Sequence, residues 1–324
     1  MRALVCEKVG PIDDLVVKEI ADPIPVAGEV AIDVHACGIN FPDLLIAQGK
    51  YQFKPSPPFS PGGELSGVVH ALGDGVPNLS VGDRVVAALP YGALADRVIA
   101  PAAVVYRAPS IAHDVAACVL TTYGTAWHAL VDRARIARGE WLLVLGAGGG
   151  VGVAAIQVGK LLGARVIAAA RGADKLAFCR EQGADAVIDY ATEDLKARVK
   201  EITGAGADVV CDSVGGAMTE AALRSIAWNG RLLVVGFTAG EIPKVPTNLC
   251  LLKGASIVGV FWGSFVMREP IASRAQIETV LDHVARGALT PQIHARFPLD
   301  RAVDAMRELE ARRVKGKAVV MLRS

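Results

Sequence analysis

Residues 139–160 read Gly-Glu-Trp-Leu-Leu-Val-Leu-Gly-Ala-Gly-Gly-Gly-Val-Gly-Val-Ala-Ala-Ile-Gln-Val-Gly-Lys. Four apolar residues, Leu142 to Leu145, form a run suited to a strand buried on both faces. Gly146, Gly148, Gly149, Gly150 and Gly152 follow, and then an apolar helical pattern to Lys160. Strand, glycine turn and helix in this order is the arrangement that binds a dinucleotide. The chain must turn sharply, bring its backbone close to the pyrophosphate without a Cβ, and pack the helix on the strand. Phosphate then meets free N–H groups at the positive end of the helix. The same segment is the longest uncharged run in the chain, 19 residues from 141 to 159, but its central glycines exclude a lipid-exposed span, which cannot leave loop backbone unpaired.

The alternation of strands and helices extends in both directions from this turn. Segments 165–169, 186–188, 208–211, 231–235 and 257–261 read as strands. Helices are expected at 174–182, 194–202 and 217–227. With 141–145 these make six strands and predict a doubly wound parallel sheet. The first hundred or so residues differ. Short β-branched runs at 3–5, 15–17, 30–34, 67–69, 83–86 and 97–99 are separated by Gly and Pro clusters, as in a loop-rich barrel or sandwich. Beyond 261, helices near 273–286 and 301–312 precede a last strand at 318–322.

Composition bounds the function classes. The chain of 324 residues is 52% hydrophobic, so it can bury a core and is long enough for about two domains. Its 34 Lys and Arg against 33 Asp and Glu leave a net charge of +1, which speaks against nucleic acid as the main partner. Six scattered cysteines without a CxxC pair, and no apolar leader at the start, point to reduced thiols and a cytoplasmic protein. The six histidines show no metal spacing, and no Gly-x-Ser-x-Gly elbow is present.

The residue ending the second strand of such a sheet selects between NADH and NADPH. An acid there binds the ribose hydroxyls and repels a 2′-phosphate. Here the position is Arg171, followed by Lys175 one helical turn on, with Tyr190 at the end of the third strand. Two cations and a phenol suit the phosphate, so NADPH is the expected cofactor.

The run 139–160 closely resembles the signature of the quinone oxidoreductase/zeta-crystallin family, within the zinc-optional medium-chain dehydrogenase/reductase superfamily. Cys37-Gly38-Ile39-Asn40-Phe41-Pro42-Asp43, Pro61-Gly62-Gly63-Glu64, Val81-Gly82-Asp83-Arg84-Val85 and 122–130 fit in order, so the resemblance spans nearly the whole chain. It implies an α/β protein: a Rossmann sheet at 121–261 inserted into a GroES-like β-barrel catalytic domain, made of 1–120 with 262–324 returning to it. It also implies a cofactor cleft between the two domains and a homodimer as the expected assembly.

Zinc-dependent relatives carry a Cys three residues after a Cys-Gly pair, a His in Pro-Gly-His-Glu and a second Cys before the central helix. This chain has Asn40, Gly63 and Thr121 there, which cannot form a thiolate and imidazole shell, so no metal is expected. Without a Lewis acid for alkoxide chemistry, the easier reaction is hydride delivery to a quinone or to an alkene conjugated with a carbonyl. The developing anion then needs a hydrogen-bond donor or a proton. Enoyl-thioester or alkenal reduction is the alternative within this chemistry. Members of the family that serve as crystallins or RNA-binding proteins supply a non-catalytic one.

Asn40 opens a short helix as an N-cap with Pro42 behind it, and the resemblance adds a contact to the nicotinamide ribose. Tyr51 matches a Gly-x-Tyr position that donates a proton in enoyl-thioester reductases of the superfamily. Tyr51 and Asn40 are therefore the catalytic candidates. Gly146, Gly148, Gly149, Gly150, Val151 and Gly152 are the expected cofactor turn, and Arg171, Lys175 and Tyr190 the phosphate end. Thr125 resembles a family threonine near the nicotinamide. Gly236 and Phe237 follow the fifth strand, where open sheets bind ligands. Phe261 and Trp262 follow the sixth and could wall the pocket. Arg312 falls where the family has an arginine near the cofactor phosphate.

Overall fold

The computed structural model describes residues 1–323, and the chain divides into two units. One comprises Met1–Thr121, Leu281–Arg286 and the chain from Pro291 onward; the other comprises Thr122–Val280 and Gly287–Thr290. Each has its own apolar core. No helix among the described residues is long and apolar enough to cross a membrane.

The first unit is mainly β. Its strands are β1 (Arg2–Val5), β2 (Val16–Glu19), β3 (Glu29–Gly38), β4 (Glu64–Leu72), β5 (Arg84–Ala88), β6 (Arg97–Pro101) and β7 (Val105–Arg107). In the second unit follow β8 (Trp141–Leu145), β9 (Arg165–Ala170), β10 (Ala186–Asp189), β11 (Ala207–Asp212), β12 (Ile226–Val234) and β13 (Ser256–Gly259). The chain then returns to the first unit with β14 (Ile293–Pro298) and β15 (Lys317–Met321). β1 and β2 pair by themselves, while β14-β15-β3-β4-β5-β7 form one sheet, with β6 pairing β3. β3 runs antiparallel to both β4 and β15. Its carboxyl end therefore lies beside the amino ends of both neighbours, where Gly38 pairs Val319 and Cys37 pairs Leu65. Asn40, Glu64 and Lys317 converge there although they lie far apart in sequence.

The second unit contains a six-stranded parallel sheet in the order β10-β9-β8-β11-β12-β13. This is the doubly wound order of a dinucleotide-binding fold, with the switch of direction between β8 and β11. The central β8 is buried along Leu142–Leu145, as a strand covered on both faces must be. The helix Gly150–Leu161 that follows it is buried from 152 through 159, so it packs on all sides rather than along one stripe.

The expected strands are all present, with shifted ends. β3 and β4 extend well beyond their β-branched centres, because pairing continues through Ala36, Cys37 and Gly38. β12 begins at Ile226, and β13 stops at Gly259, which leaves Phe261 outside the sheet. The boundary expected at 261 falls near 280 instead, since residues 262–280 belong to the sheet unit. The reason is local packing. The Trp262 ring sits where a Cβ on Gly124 would stand 2.6 Å from it, and Gln276 donates to the Gly124 carbonyl at 3.1 Å.

Candidate active site

In the sheet unit, β8 ends in a turn that only glycine permits at two places. Gly146 has a φ of +67°, and a Cβ on Gly152 would stand 2.5 Å from the Gly146 carbonyl oxygen. The nearest atom to a Cβ on Gly149, the N-cap of the helix Gly150–Leu161, would be 3.5 Å away. Gly149 is thus not required by internal packing, as expected of a backbone position left open for a ligand. Val151 lies in the first turn of the same helix. The glycine-lined backbone at a helix start fits a dinucleotide pyrophosphate.

One cation lies against this turn, and a second follows the end of β9. The side chain of Lys175 lies along Gly148, where a Cβ would be 3.1 Å from its Cδ. The Arg171 guanidinium stands 5.8 Å from the centre of the Tyr190 ring. Sequence reasoning missed Asp189, at the end of β10, whose carboxylate accepts from the backbone N–H of Gly172 at 3.2 Å and of Ala191 at 3.0 Å. It ties the two loops that carry Arg171 and Tyr190.

The carboxyl ends of β8, β11 and β12 bring further predicted positions together. A Cβ on Gly146 would lie 3.0 Å from Val214 and 3.1 Å from the Ser213 hydroxyl. Thr238, next to Gly236 and Phe237, donates from its hydroxyl to the Ser213 carbonyl at 2.9 Å. A buried acid missed by sequence reasoning, Asp212, holds this loop. Its carboxylate accepts from Val214 N at 2.8 Å, Gly215 N at 3.0 Å and the Thr219 hydroxyl at 2.5 Å. Thr125 is buried within the helix Leu120–Trp127. Trp262 is only 7% exposed, and its indole N–H donates to Gln276 at 3.2 Å, so its ring serves packing; Phe261, 55% exposed, is the aromatic of the pair open to a ligand.

In the other unit, the meeting of β3, β4 and β15 builds a buried polar cluster. Lys317 is 4% exposed, Glu64 0% and Asn40 9%. Lys317 Nζ donates to Asn40 Oδ1 at 2.6 Å and to Glu64 Oε2 at 3.0 Å. Asn40 Nδ2 donates to the same Glu64 oxygen at 2.9 Å and to the Gly38 carbonyl at 3.1 Å. Glu64 Oε1 accepts from Thr121 N at 2.9 Å. Asn40 begins the helix Phe41–Ala47 as expected, and Asp43 reaches back to accept from its backbone N–H at 2.7 Å. Burial raises the Asp43 carboxyl to about 7, against the lowering effect of that bond and of Lys317. Tyr51, half-buried against this unit's core, has its phenol pushed up by burial and by the nearby Asp43. Arg312 lies in the same unit just beyond the helix Ala302–Glu310, with a φ of +58°.

The cluster does not fit zinc. Asn40 and Thr121 stand at two ligand positions, and the Lys317 ammonium already supplies a cation beside them, which repels a second. At the third, Gly63, a Cβ would lie 2.8 Å from the Leu89 carbonyl oxygen, so an imidazole has no room without a backbone shift. Burial pushes the Cys118 thiol up to about 12 and Cys37 well above its usual range, so neither is a ready thiolate. Among the described residues no three His, Cys, Asp or Glu side chains gather to hold a metal.

A parallel dinucleotide-binding sheet inserted into a β unit of this topology defines a medium-chain dehydrogenase/reductase. Residues 26–110 match the model of the alcohol dehydrogenase GroES-like domain, and residues 150–286 that of zinc-binding dehydrogenases. A quinone oxidoreductase-like protein 2 homolog of Nematostella vectensis is 38% identical over 325 residues, covering 98% of this chain and 88% of that one. A mycobacterial protein solved in complex with NADPH superposes with a TM-score of 0.92 at 32% identity, covering 99% of this chain and 100% of that one. A quinone oxidoreductase of Pseudomonas syringae superposes with a TM-score of 0.91 at 29% identity, covering 99% of each chain. The chain belongs to the quinone oxidoreductase family, the zinc-free branch of the medium-chain dehydrogenase/reductase superfamily, and has its nicotinamide-cofactor fold.

Proposed function

We propose that the protein is an NADPH-dependent, zinc-independent reductase that delivers hydride to a quinone or a similar conjugated carbonyl. The observation that carries the cofactor choice is Lys175 lying along Gly148 at the glycine turn, with the Arg171 guanidinium 5.8 Å from the centre of the Tyr190 ring. Cations at the end of the second strand favour a 2′-phosphate over bare hydroxyls. The names of the relatives support the acceptor class. When bound, NADPH supplies the hydride. The glycine turn holds the pyrophosphate, Arg171 and Lys175 the 2′-phosphate, and Asn40 orients the nicotinamide end. Tyr51 holds a proton on its hydroxyl for the anion that forms, since burial and Asp43 keep the phenol protonated.

The same phenol supports a second reading, reduction of an alkene conjugated to a thioester or aldehyde, where a carbon must be protonated after hydride arrives. Rates of NADPH oxidation with a 1,4-quinone and with an enoyl thioester separate the two. Activity on the thioester alone would overturn the first.

We also propose a homodimer. β13 is an edge strand of the parallel sheet, and Ile257, Leu251 and Leu252 around it are exposed. An unpaired apolar edge of this kind is covered by a second copy in a two-fold arrangement.

A further inference from the structure

We propose that Lys317 and Glu64 are a positioning pair that locks the amide of Asn40 in one orientation, and that the cluster so formed recognises a hydroxyl group. The proposal rests on the reading of Asn40 as a cofactor contact and gives it a chemistry. An asparagine amide has two N–H groups and an oxygen with two lone pairs. Both N–H groups of Asn40 are taken, by the Gly38 carbonyl and by Glu64, and one lone pair accepts from Lys317. The orientation is forced by the partners, since an ammonium only donates and a carboxylate only accepts. Of the three ammonium N–H groups, two go to Asn40 and Glu64.

The cluster therefore retains one lone pair on Asn40 Oδ1 and, among the described residues, one N–H on Lys317. A hydroxyl complements both, donating to the first and accepting from the second. The nicotinamide ribose carries hydroxyls, and a carbonyl acceptor does not. Burial of the pair has no ready stability rationale. Desolvating an ammonium and a carboxylate costs enough that apolar residues of the same volume often serve stability as well or better. What the ion pair adds is a fixed amide.

Replacing only one partner leaves a buried, unpaired charge, so Lys317→Met alone confuses misfolding with loss of function. The informative variant is Lys317→Met with Glu64→Gln. The introduced glutamine keeps an oxygen for Thr121 N and turns its amide N–H toward Asn40, which must then flip and present a donor outward. The measurement is the Kd for NADPH by fluorescence titration, alongside melting temperature, for the native chain, this double variant, Asn40→Ala and the triple variant. We expect the double variant to fold and its Kd to rise tenfold or more. Asn40→Ala, which keeps the Lys317 N–H, should raise it less, and the triple variant should be no weaker than the double variant. A double variant with lowered melting temperature but native NADPH affinity would overturn the positioning role while leaving Asn40 as a contact. Native affinity in Asn40→Ala would remove that contact and the proposal with it. Neither result depends on which acceptor is reduced.

Discussion

A Cβ on Gly152 would stand 2.5 Å from the carbonyl oxygen of Gly146, six residues earlier in the same turn. The helix Gly150–Leu161 can approach β8 this closely only because Gly152 has no side chain, and that approach aims its first N–H groups at the end of the sheet. Gly152→Ala should force the turn open, lower the melting temperature by several degrees and weaken NADPH binding more than tenfold. Gly149→Ala has room within the fold, its nearest neighbour being 3.5 Å away. It should leave the melting temperature unchanged and still weaken NADPH. Equal behaviour of the two variants would mean that the turn is structural only.

Under the proposed function, Arg171 and Lys175 distinguish the two nicotinamide cofactors. Arg171→Ala with Lys175→Ala should raise the KM for NADPH about tenfold or more and leave the KM for NADH nearly unchanged. Steady-state kinetics with both cofactors checks this. A parallel loss for both would assign the two residues to general binding.

The residues proposed for this selectivity are legible in the sequence, because strand, glycine turn and helix are local and the end of the next strand follows at a fixed distance. The outline of both units is legible for the same reason. The cluster around Asn40 is not. Lys317 opens an apolar strand after Gly316 and gives no local sign of its partners, since Glu64 lies 253 residues away and meets it only through the antiparallel pairing of β15, β3 and β4. Asp212 and Asp189 are hidden similarly, because an acid at a strand end signals a loop tie only when the loop it closes is known. Trp262 reads as a pocket wall in the sequence, and its 7% exposure in the structure is not legible there, because sequence does not show that Gly124 leaves room for its ring.

The Asp43 carboxyl makes a signed prediction for stability. Burial raises it from 3.8 to about 7, so between these values the folded chain holds a proton that the unfolded chain has released. Its contribution is fully present below about pH 4 and is lost as pH rises through about 7. Asp43→Asn should make the melting temperature less dependent on pH between 4 and 7. Carboxyls held low by their partners, such as Asp185 beside Lys160, act in the opposite direction and in more acid solution. An unaltered pH profile in the variant would show that Asp43 ionises normally.

The edge strand β13 gives a test of assembly. Ile257→Lys places a charge on an exposed apolar position of that strand. Sedimentation should show a dimer for the native chain and a monomer for the variant. A native monomer would contradict the proposed partner.

The proposed reaction is reduction of a quinone by NADPH without zinc. The most direct measurement follows NADPH oxidation by purified protein with a 1,4-quinone, in buffer treated with a chelator, with NADH and an enoyl thioester as comparisons and Tyr51→Phe alongside. Turnover of the quinone should survive chelation, prefer NADPH, and fall at least tenfold in kcat in the Tyr51 variant. Activity restricted to the thioester, or abolished by the chelator and restored by zinc, would contradict it.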